Sequence, residues 1–453
     1  MSAIPSPATP PAPAAATTLP EDSASPLASE LAGPAAADAK RQAGRFRQLP
    51  ALAGRSFLPI GFLARLPLAM LTVGAMTLAT TASGSYALGG MAAGAVGIGA
   101  AAGAPAQGHL ADRRGQRSVL LAAAVAHTAA IAGLLAAVAL VPDLSGPWVA
   151  VVLATALLMG LTSPQVASLA RVRWMALTRH RPAVRGTALS YESTVDELTF
   201  VLGPALVGLL AAFVAAWLPF VLAAVLTIVL VPAFAVHPTH RAVPPAAGSR
   251  RPVDVPGQGP DPARWWPAAV PVLGMVSMGM FFGAAQNGVS AFGGSIGAAE
   301  TAGLLYALIG VSSAVTALSV AFWPARFALV PRWILCAAGM TGCTLLLLLP
   351  QTPAQMVAAL LAAGLPVGPA MVTIYGVGGL VAPAHRLGTV MTLLASGVVL
   401  GAALGAALAG AAAQAAGHTG AFLVAAAAAA VMLLVSLFAL PGVRRARALP
   451  PSA

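Results

Sequence analysis

Apolar residues in this chain gather into long runs, and polar residues fall in the short gaps between them. From Phe57 onward twelve runs can be marked. The first six lie at about 57–80, 86–110, 118–141, 147–170, 187–214 and 217–236, and the second six at about 266–291, 299–322, 331–349, 354–380, 387–415 and 418–440. Each is long enough to cross about 30 Å of hydrocarbon as a helix. Alternation with period two is absent, which excludes barrel strands, the other structure that lipid permits. The pattern predicts an all-α membrane protein with twelve transmembrane helices. A polar connector over 237–265, rich in Pro and Gly and carrying Arg250 and Arg251, separates the sixth run from the seventh. The flanking segments, 56–236 and 266–441, therefore predict two pseudo-symmetric six-helix bundles. Residues 1–55, rich in Ala, Pro and Ser, read as a disordered cytoplasmic N-terminal tail, and 442–453 as a cytoplasmic C-terminal tail.

Composition agrees with this reading, since 58% of the 453 residues are hydrophobic and only 8% are charged, against about 25% charged in a soluble domain. The formal charge of +12 would fit a nucleic-acid partner, but the basic residues sit in short clusters with no aromatic platform beside them. Their placement is informative. Arg113, Arg114 and Arg117 follow span 2, and Arg171 to Arg185 follow span 4; Arg241 to Arg264 lie in the connector. Arg326 and Arg332 follow span 8, Arg386 follows span 10, and Arg444, Arg445 and Arg447 follow span 12. All fall on one face, and the opposite connections hold no Lys or Arg. The orientation bias of membrane insertion then predicts a multi-pass protein of the plasma (inner) membrane with both termini cytoplasmic. Cys336 and Cys343 are about 10 Å apart along one predicted helix, too far for a disulfide. The seven histidines lack ligand spacing, and no nucleophile and base stand together. No metal, cofactor or enzymatic role is expected.

The loop after span 2, Gly108 to Leu120, reads GHLADRRGQRSVL. It resembles the signature loop between helices 2 and 3 of the major facilitator superfamily. Gly108, Leu110, Ala111, Asp112, Arg113, Gly115 and Arg117 agree with that signature, while Gln116 stands where a basic residue is usual. With twelve spans and a central connector, the resemblance covers about residues 56 to 441. It implies that Asp112 faces the start of helix 11, near Leu387, and that the arginines pair locally, closing the cytoplasmic side. A carboxylate at a helix amino terminus is favoured by up to about 1 kcal/mol. The bland alternative is a charged turn whose arginines only fix topology. The equivalent loop after span 8, PARFALVPR, keeps only scattered basic residues.

Span 5 opens with TALSYESTVDELTFVLGPALVG, Thr187 to Gly208, and sets Glu192, Asp196 and Glu197 in an otherwise apolar run. Ionisable groups at such depth are kept where they face a partner or a water-filled cavity. Arg65, in span 1, is the only basic residue outside the cytoplasmic set. It lies about 12 Å into the membrane and Asp196 about 14 Å in from the same face. In the superfamily's arrangement helices 1 and 5 are neighbours, so an Arg65 to Asp196 pair is expected; the other reading is that Arg65 snorkels back to the interface. Glu192, nearer the edge, is expected to be solvated. Together Asp196, Glu197, Glu192 and Arg65 form the candidate proton-coupling set. Gly203, Pro204 and Gly208 resemble the helix 5 signature of proton-coupled drug exporters in the superfamily, with Val207 and Thr199 in place of two of its glycines. That resemblance implies export. The arginine such exporters carry in helix 4 is missing from span 4 as bounded here.

Helix breakers recur at matching places, with Gly160, Leu161 and Pro164 in span 4 and Gly364, Leu365, Pro366 and Pro369 in span 10, where discontinuous helices would frame a substrate site. Met278, Phe282, Gln286 and Asn287 in span 7 and Tyr375 in span 10 are the candidate substrate-binding residues, although the Met and Phe stripe also fits packing. Gly90, Gly94, Gly99 and Gly103 in span 2, with Gly401 and Gly405 in span 11, fit either close contact between those two helices or tight packing elsewhere. The expected function is secondary transport of a small amphipathic molecule by alternating access, in the first place proton-coupled export. Import or facilitated diffusion of a metabolite and a non-transporting membrane sensor are the alternatives. Expected partners are a small-molecule substrate, protons and the lipid bilayer, with no nucleic acid, and the chain is expected to be a monomer.

Overall fold

The computed structural model describes residues 44, 46–140, 146–245, 266–297, 302–324, 327–383 and 386–448. Among them, eleven helical stretches are long and apolar enough to cross a membrane, and the last of these, Leu387–Ala439, is 53 residues long. That stretch is two crossings. Ala416 (φ −137°) and Gly417 (φ 61°, ψ −155°) break it, and the positive φ is a conformation glycine adopts without steric cost. Twelve crossings result, and among the described residues there are no strands.

Three crossings are interrupted, and proline explains each. The first is α2 (Phe57–Leu63) followed by α3 (Leu66–Ser83), where Pro67 cannot donate back to the preceding turn and Arg65 becomes the cap. The fourth is α6 (Pro147–Thr162) followed by α7 (Val166–Leu177), broken at Ser163, Pro164 and Gln165. The tenth is α13 (Pro353–Gly364) followed by α14 (Val367–Val381), broken at Leu365 and Pro366. The last two breaks fall where the matched glycines and prolines placed them. The remaining crossings are α4 (Tyr86–Arg114), α5 (Gln116–Leu140), α8 (Pro182–Phe213), α9 (Leu218–Val236), α10 (Trp266–Ser295), α11 (Ala302–Ser319), α12 (Leu329–Leu345) and the two halves of α15 (Leu387–Ala448).

The disordered tail expected over 1–55 falls mostly outside the described residues. Its end differs from expectation, because residues 46–53 form a helix, α1, with Leu49 and Ala53 buried. Two apolar residues four apart give this short segment a face to bury, which the Ala- and Pro-rich composition around it obscures. Of the connector, 246–265 also lies outside the described residues.

Helices α2 to α9 make one bundle and α10 to α15 the other, meeting along two seams, α4 against α15 and α8 against α11. Small residues set the crossings inside each bundle, and they do so twice over. Gly99 and Gly103 of α4 lie on the backbone of α6 at Leu157 and Leu161, and Gly160 lies on Val96. In the second bundle the same spans in order, 8 and 10, meet at Gly364 and Gly368 against Ile309 and Ser313. Likewise Gly203 of α8 lies on Ala69 of α3, and Gly401 and Gly405 of α15 lie on Val276 and Met280 of α10. Contact between the glycines of spans 2 and 11 is thereby corrected. Gly99, Gly103, Gly401 and Gly405 serve packing within their own bundles, Gly90 and Gly94 face open space, and of α4's glycines it is Gly108 that meets α15, at Gly388 and Thr392.

The two cores differ. The second bundle has one continuous apolar cluster running through α10 to α15, which also takes in Val172, Met175 and Leu189 from the first. The first has two, one around Phe57, Trp174 and Phe234 and the other around Leu71, Met159 and Phe220. Between them along the helices come buried polar residues: Arg65 on α3, His127 on α5, Ser163 and Gln165 at the α6 to α7 break, and Thr227 on α9.

Because the Cβ of an alanine at 160 would press on the carbonyl of Val96, Gly160→Ala should lower stability by about 1–3 kcal/mol. Gly94→Ala, with open space around it, should be neutral; thermal unfolding in detergent micelles compares the two.

Candidate functional site

Glu192 and Asp196 are four residues apart on α8 and share one face. Arg171 and Trp174 are three apart on α7 and share a face likewise. The break between α2 and α3 delivers Arg65 to the same point. Arg65 Nη1 donates to Asp196 Oδ1 at 3.0 Å, and its Nη2 donates to Glu192 Oε2. Arg171 Nη2 donates to Asp196 Oδ2, and Trp174 Nε1 donates to Glu192 Oε1 at 2.7 Å. Both carboxylates are thus occupied at both oxygens, by donors from two different helices. All four charged side chains are buried.

Two expectations are corrected here. Glu192 is not solvated; it is fully buried and closes the network from within. Nor does the fourth crossing lack an arginine. Its helix resumes after Pro164 and runs to Leu177, so Arg171 and Arg173, read from the sequence as loop markers, lie inside the span and are buried. The signal that could have found them is the apolar company they keep in VASLARVRWMAL, where a loop would be polar.

Glu197, the residue after Asp196, is turned about 100° around α8. It points across the seam, where Ser313 Oγ of α11 donates to its Oε1 at 2.7 Å. No cation pairs with it among the described residues, where the ion pairs are Arg65 with Glu192 and Asp196, and Arg171 with Asp196. Thr194 Oγ1 makes a second link over the same seam, donating to the carbonyl of Ala314 at 3.3 Å. On the other side of the network the Arg171 guanidinium lies 3.8 Å from the centre of the Tyr375 ring, on α14 of the second bundle. A desolvated cation over an aromatic face is worth about 2 kcal/mol. The site therefore has a charged half from the first bundle and a hydroxyl and aromatic half from the second.

A third buried arginine, Arg173, has no carboxylate partner among the described residues. Arg173 Nε donates to Gln116 Oε1 at 2.8 Å, and its Nη1 donates to the Phe234 carbonyl at 2.7 Å and Thr239 Oγ1 at 3.0 Å, with the Phe234 ring 4.0 Å away. This accounts for Gln116. A basic residue there would face Arg173, whereas the amide oxygen accepts its hydrogen bond. Close by, His237 bonds Thr239 Oγ1 through Nδ1 at 3.1 Å and Ser56 Oγ through Nε2 at 3.2 Å. Burial pushes the His237 imidazole below its usual range, and Arg173 and His240 add to that.

At the arginine-bearing end, Asp112 caps α15. Gly388 N–H donates to Oδ1 at 2.9 Å, and Thr389 donates to Oδ2 through N–H at 2.8 Å and through Oγ1 at 2.7 Å. Two orphan backbone donors of a helix amino terminus, with one hydroxyl beside them, are met by a side chain from the other bundle. Arg386 Nη1 lies 3.3 Å from His109 Nδ1 beside it. Gly115 supplies the positive φ of 89° that ends α4. Local pairing of Arg113 and Arg117 is corrected, since both are exposed and belong to none of the three ion pairs.

The other predicted residues are scattered. Gly203 makes the close approach to α3, Pro204 sits inside an unbroken α8, and Gly208 touches no neighbour but lines a largely apolar groove of about 710 Å³ with Thr77, Thr81 and Trp217. Met278 is sealed in the second core, Phe282 packs at its edge, and Gln286 is exposed. Asn287 donates to the carbonyl of Gly283 in its own helix at 3.0 Å. Of this set, Tyr375 alone meets the ionic network.

The sequence matches the family model described as Major Facilitator Superfamily over residues 57–350. In fold it is similar to the human organic anion transporter MFSD10 (TETRAN), at 17% identity and a TM-score of 0.62, covering 84% of this chain and 99% of that one. It is also similar to a bacterial homologue of the iron transporter ferroportin in an outward-facing state with soaked iron, at 13% identity and a TM-score of 0.68, covering 85% and 98%. No curated protein matches the sequence.

Removing one member of a buried ion pair strands its partner, at a cost of roughly 3–5 kcal/mol. Arg171→Ala should therefore destabilise the protein by about that much in thermal unfolding, and the double variant Arg171→Met with Asp196→Leu should recover most of it. Gln116→Arg, which sets a second cation against Arg173, should also lower the melting temperature.

Proposed function

The chain belongs to the Major Facilitator Superfamily and is a multi-pass secondary transporter, and on that premise we propose that it exports a small amphipathic molecule in exchange for protons, with Glu197 as the proton-carrying group. The observation that carries this is the unequal treatment of three buried acids. Glu192 and Asp196 are locked by two arginines and an indole, whereas Glu197 has one hydroxyl partner and, among the described residues, no cation. Glu197 is the acid that can gain or lose a proton without breaking an ion pair. It also reaches across the α8 to α11 seam, so its charge is felt by both bundles, as coupling requires.

Positive loops favour the cytoplasmic side, and this supports an orientation with both termini inside the plasma membrane. In that orientation the Asp112 clamp closes the cytoplasmic end and the conformation is outward-facing. Export rests on the likeness of Gly203 and Pro204 to the helix 5 signature of proton-coupled exporters. The amphipathic character of the substrate rests on the second bundle's contribution to the site, Tyr375 and Ser313, which supply a ring and a hydroxyl and no charge.

The test is uptake of amphipathic fluorescent dyes, cationic and anionic, into inside-out vesicles with an imposed pH gradient. Glu197→Gln should reduce gradient-driven accumulation to the level of empty vesicles while leaving labelled-dye counterflow intact. Full gradient-driven accumulation by Glu197→Gln would remove the proton role from this residue, and loss of counterflow as well would reassign it to substrate binding.

A further inference from the structure

Helix α1 precedes the first crossing and plays no part in the site. Leu49 and Ala53 anchor it to the first bundle, buried in the apolar cluster that holds Phe57, Trp174 and Phe234. Phe46, one turn before Leu49, packs at the edge of that cluster and also reaches the other bundle. Its ring centre is 6.0 Å from that of Phe322, at an angle of 46°. Phe322 ends the short helical turn Val320–Phe322 that follows α11, and it is otherwise half exposed. Arg47 and Gln48, between the two attachments, are exposed. A helix fixed to one bundle thus stands on the other, at the same arginine-bearing end as the Asp112 clamp.

We propose that α1 is a strap across the two bundles, whose Phe46 to Phe322 contact must break each time the arginine-bearing end opens and therefore sets how much of the time it stays closed. This rests on alternating access as proposed above. Leu49 and Ala53 fix α1 to the first bundle, so when the second bundle swings away it carries Phe322 off and leaves Phe46 behind. An aromatic pair contributes enough to change a two-state ratio by about two- to tenfold.

The strap can be tested in the full chain with nitroxide labels at the exposed positions Arg179 and Pro331, one on each bundle, after replacing Cys336 and Cys343 with alanine. Pulsed dipolar spectroscopy then gives the ratio of long to short distances. Phe46→Ala should raise that ratio about two- to tenfold, Phe322→Ala should do the same, and the double variant should go no further than either single one. Arg47→Ala should leave it unchanged. Asp112→Asn, which weakens the clamp, is the reference for opening. If Asp112→Asn shifts the ratio and Phe46→Ala does not, the strap is refuted and alternating access stands. If neither shifts it, the strap falls together with that reading. Full additivity of the two phenylalanine variants would also overturn the proposal, since each would then act through something other than their contact.

Discussion

Two arginines and two carboxylates withdrawn from water in one bundle constrain everything else in this molecule. Each such ion left alone would cost several kcal/mol, and mutual attraction offsets that only when the geometry is close and the remaining donors and acceptors are met. Here that demand is satisfied by interrupting two helices. The α2 to α3 break brings Arg65 inward, and the α6 to α7 break lets a helix that entered as purely apolar resume with Arg171 and Trp174 on one face. The apolar core of the bundle is divided around the result. A buried ionic network of this kind adds little to stability over an apolar replacement, but it specifies one arrangement of α3, α7 and α8.

The same network separates what is rigid from what can move. Inside the first bundle, α8 is held by four charge-assisted or indole bonds. Across to the second bundle the links are of another kind: a serine hydroxyl, a threonine hydroxyl, an aromatic ring under a guanidinium, and a carboxylate capping a helix. Each of these can be exchanged for water or for another partner without stranding an ion. Alternating access needs such a contrast, because one body must turn against another without either coming apart.

Much of this was legible in the residues. Hydropathy located the spans, proline and glycine located two of the three interrupted crossings, and the loop after span 2 pointed Asp112 at the start of α15. Matching depth, with the neighbourhood of helices 1 and 5 that the family resemblance implies, brought Arg65 and Asp196 together. Arg171 and Glu192 were misplaced for a common reason. A charge at the margin of an apolar run has the same hydropathy whether it faces water or a partner, and the partner here lies on another helix far away in sequence. The glycines failed differently. Their spacing announces a close approach but does not name the neighbour, and α4 presents Gly99 and Gly103 to α6 before Gly108 turns to α15.

The unequal composition of the halves has an electrical consequence. Helices α10 to α15 carry no Asp, Glu or Lys, and their arginines sit at the edges of the spans, while the first bundle's pairs, two positive and two negative, cancel. Moving one elementary charge through the full field is worth about 2.3 kcal/mol per 100 mV. On the proposed mechanism the membrane voltage therefore has two handles within the span, the charge state of Glu197 and the guanidinium of Arg173, which no carboxylate pairs among the described residues. Whether a turnover is electrogenic is decided by that carboxyl, the charge of the cargo and how far the first bundle carries Arg173 through the field.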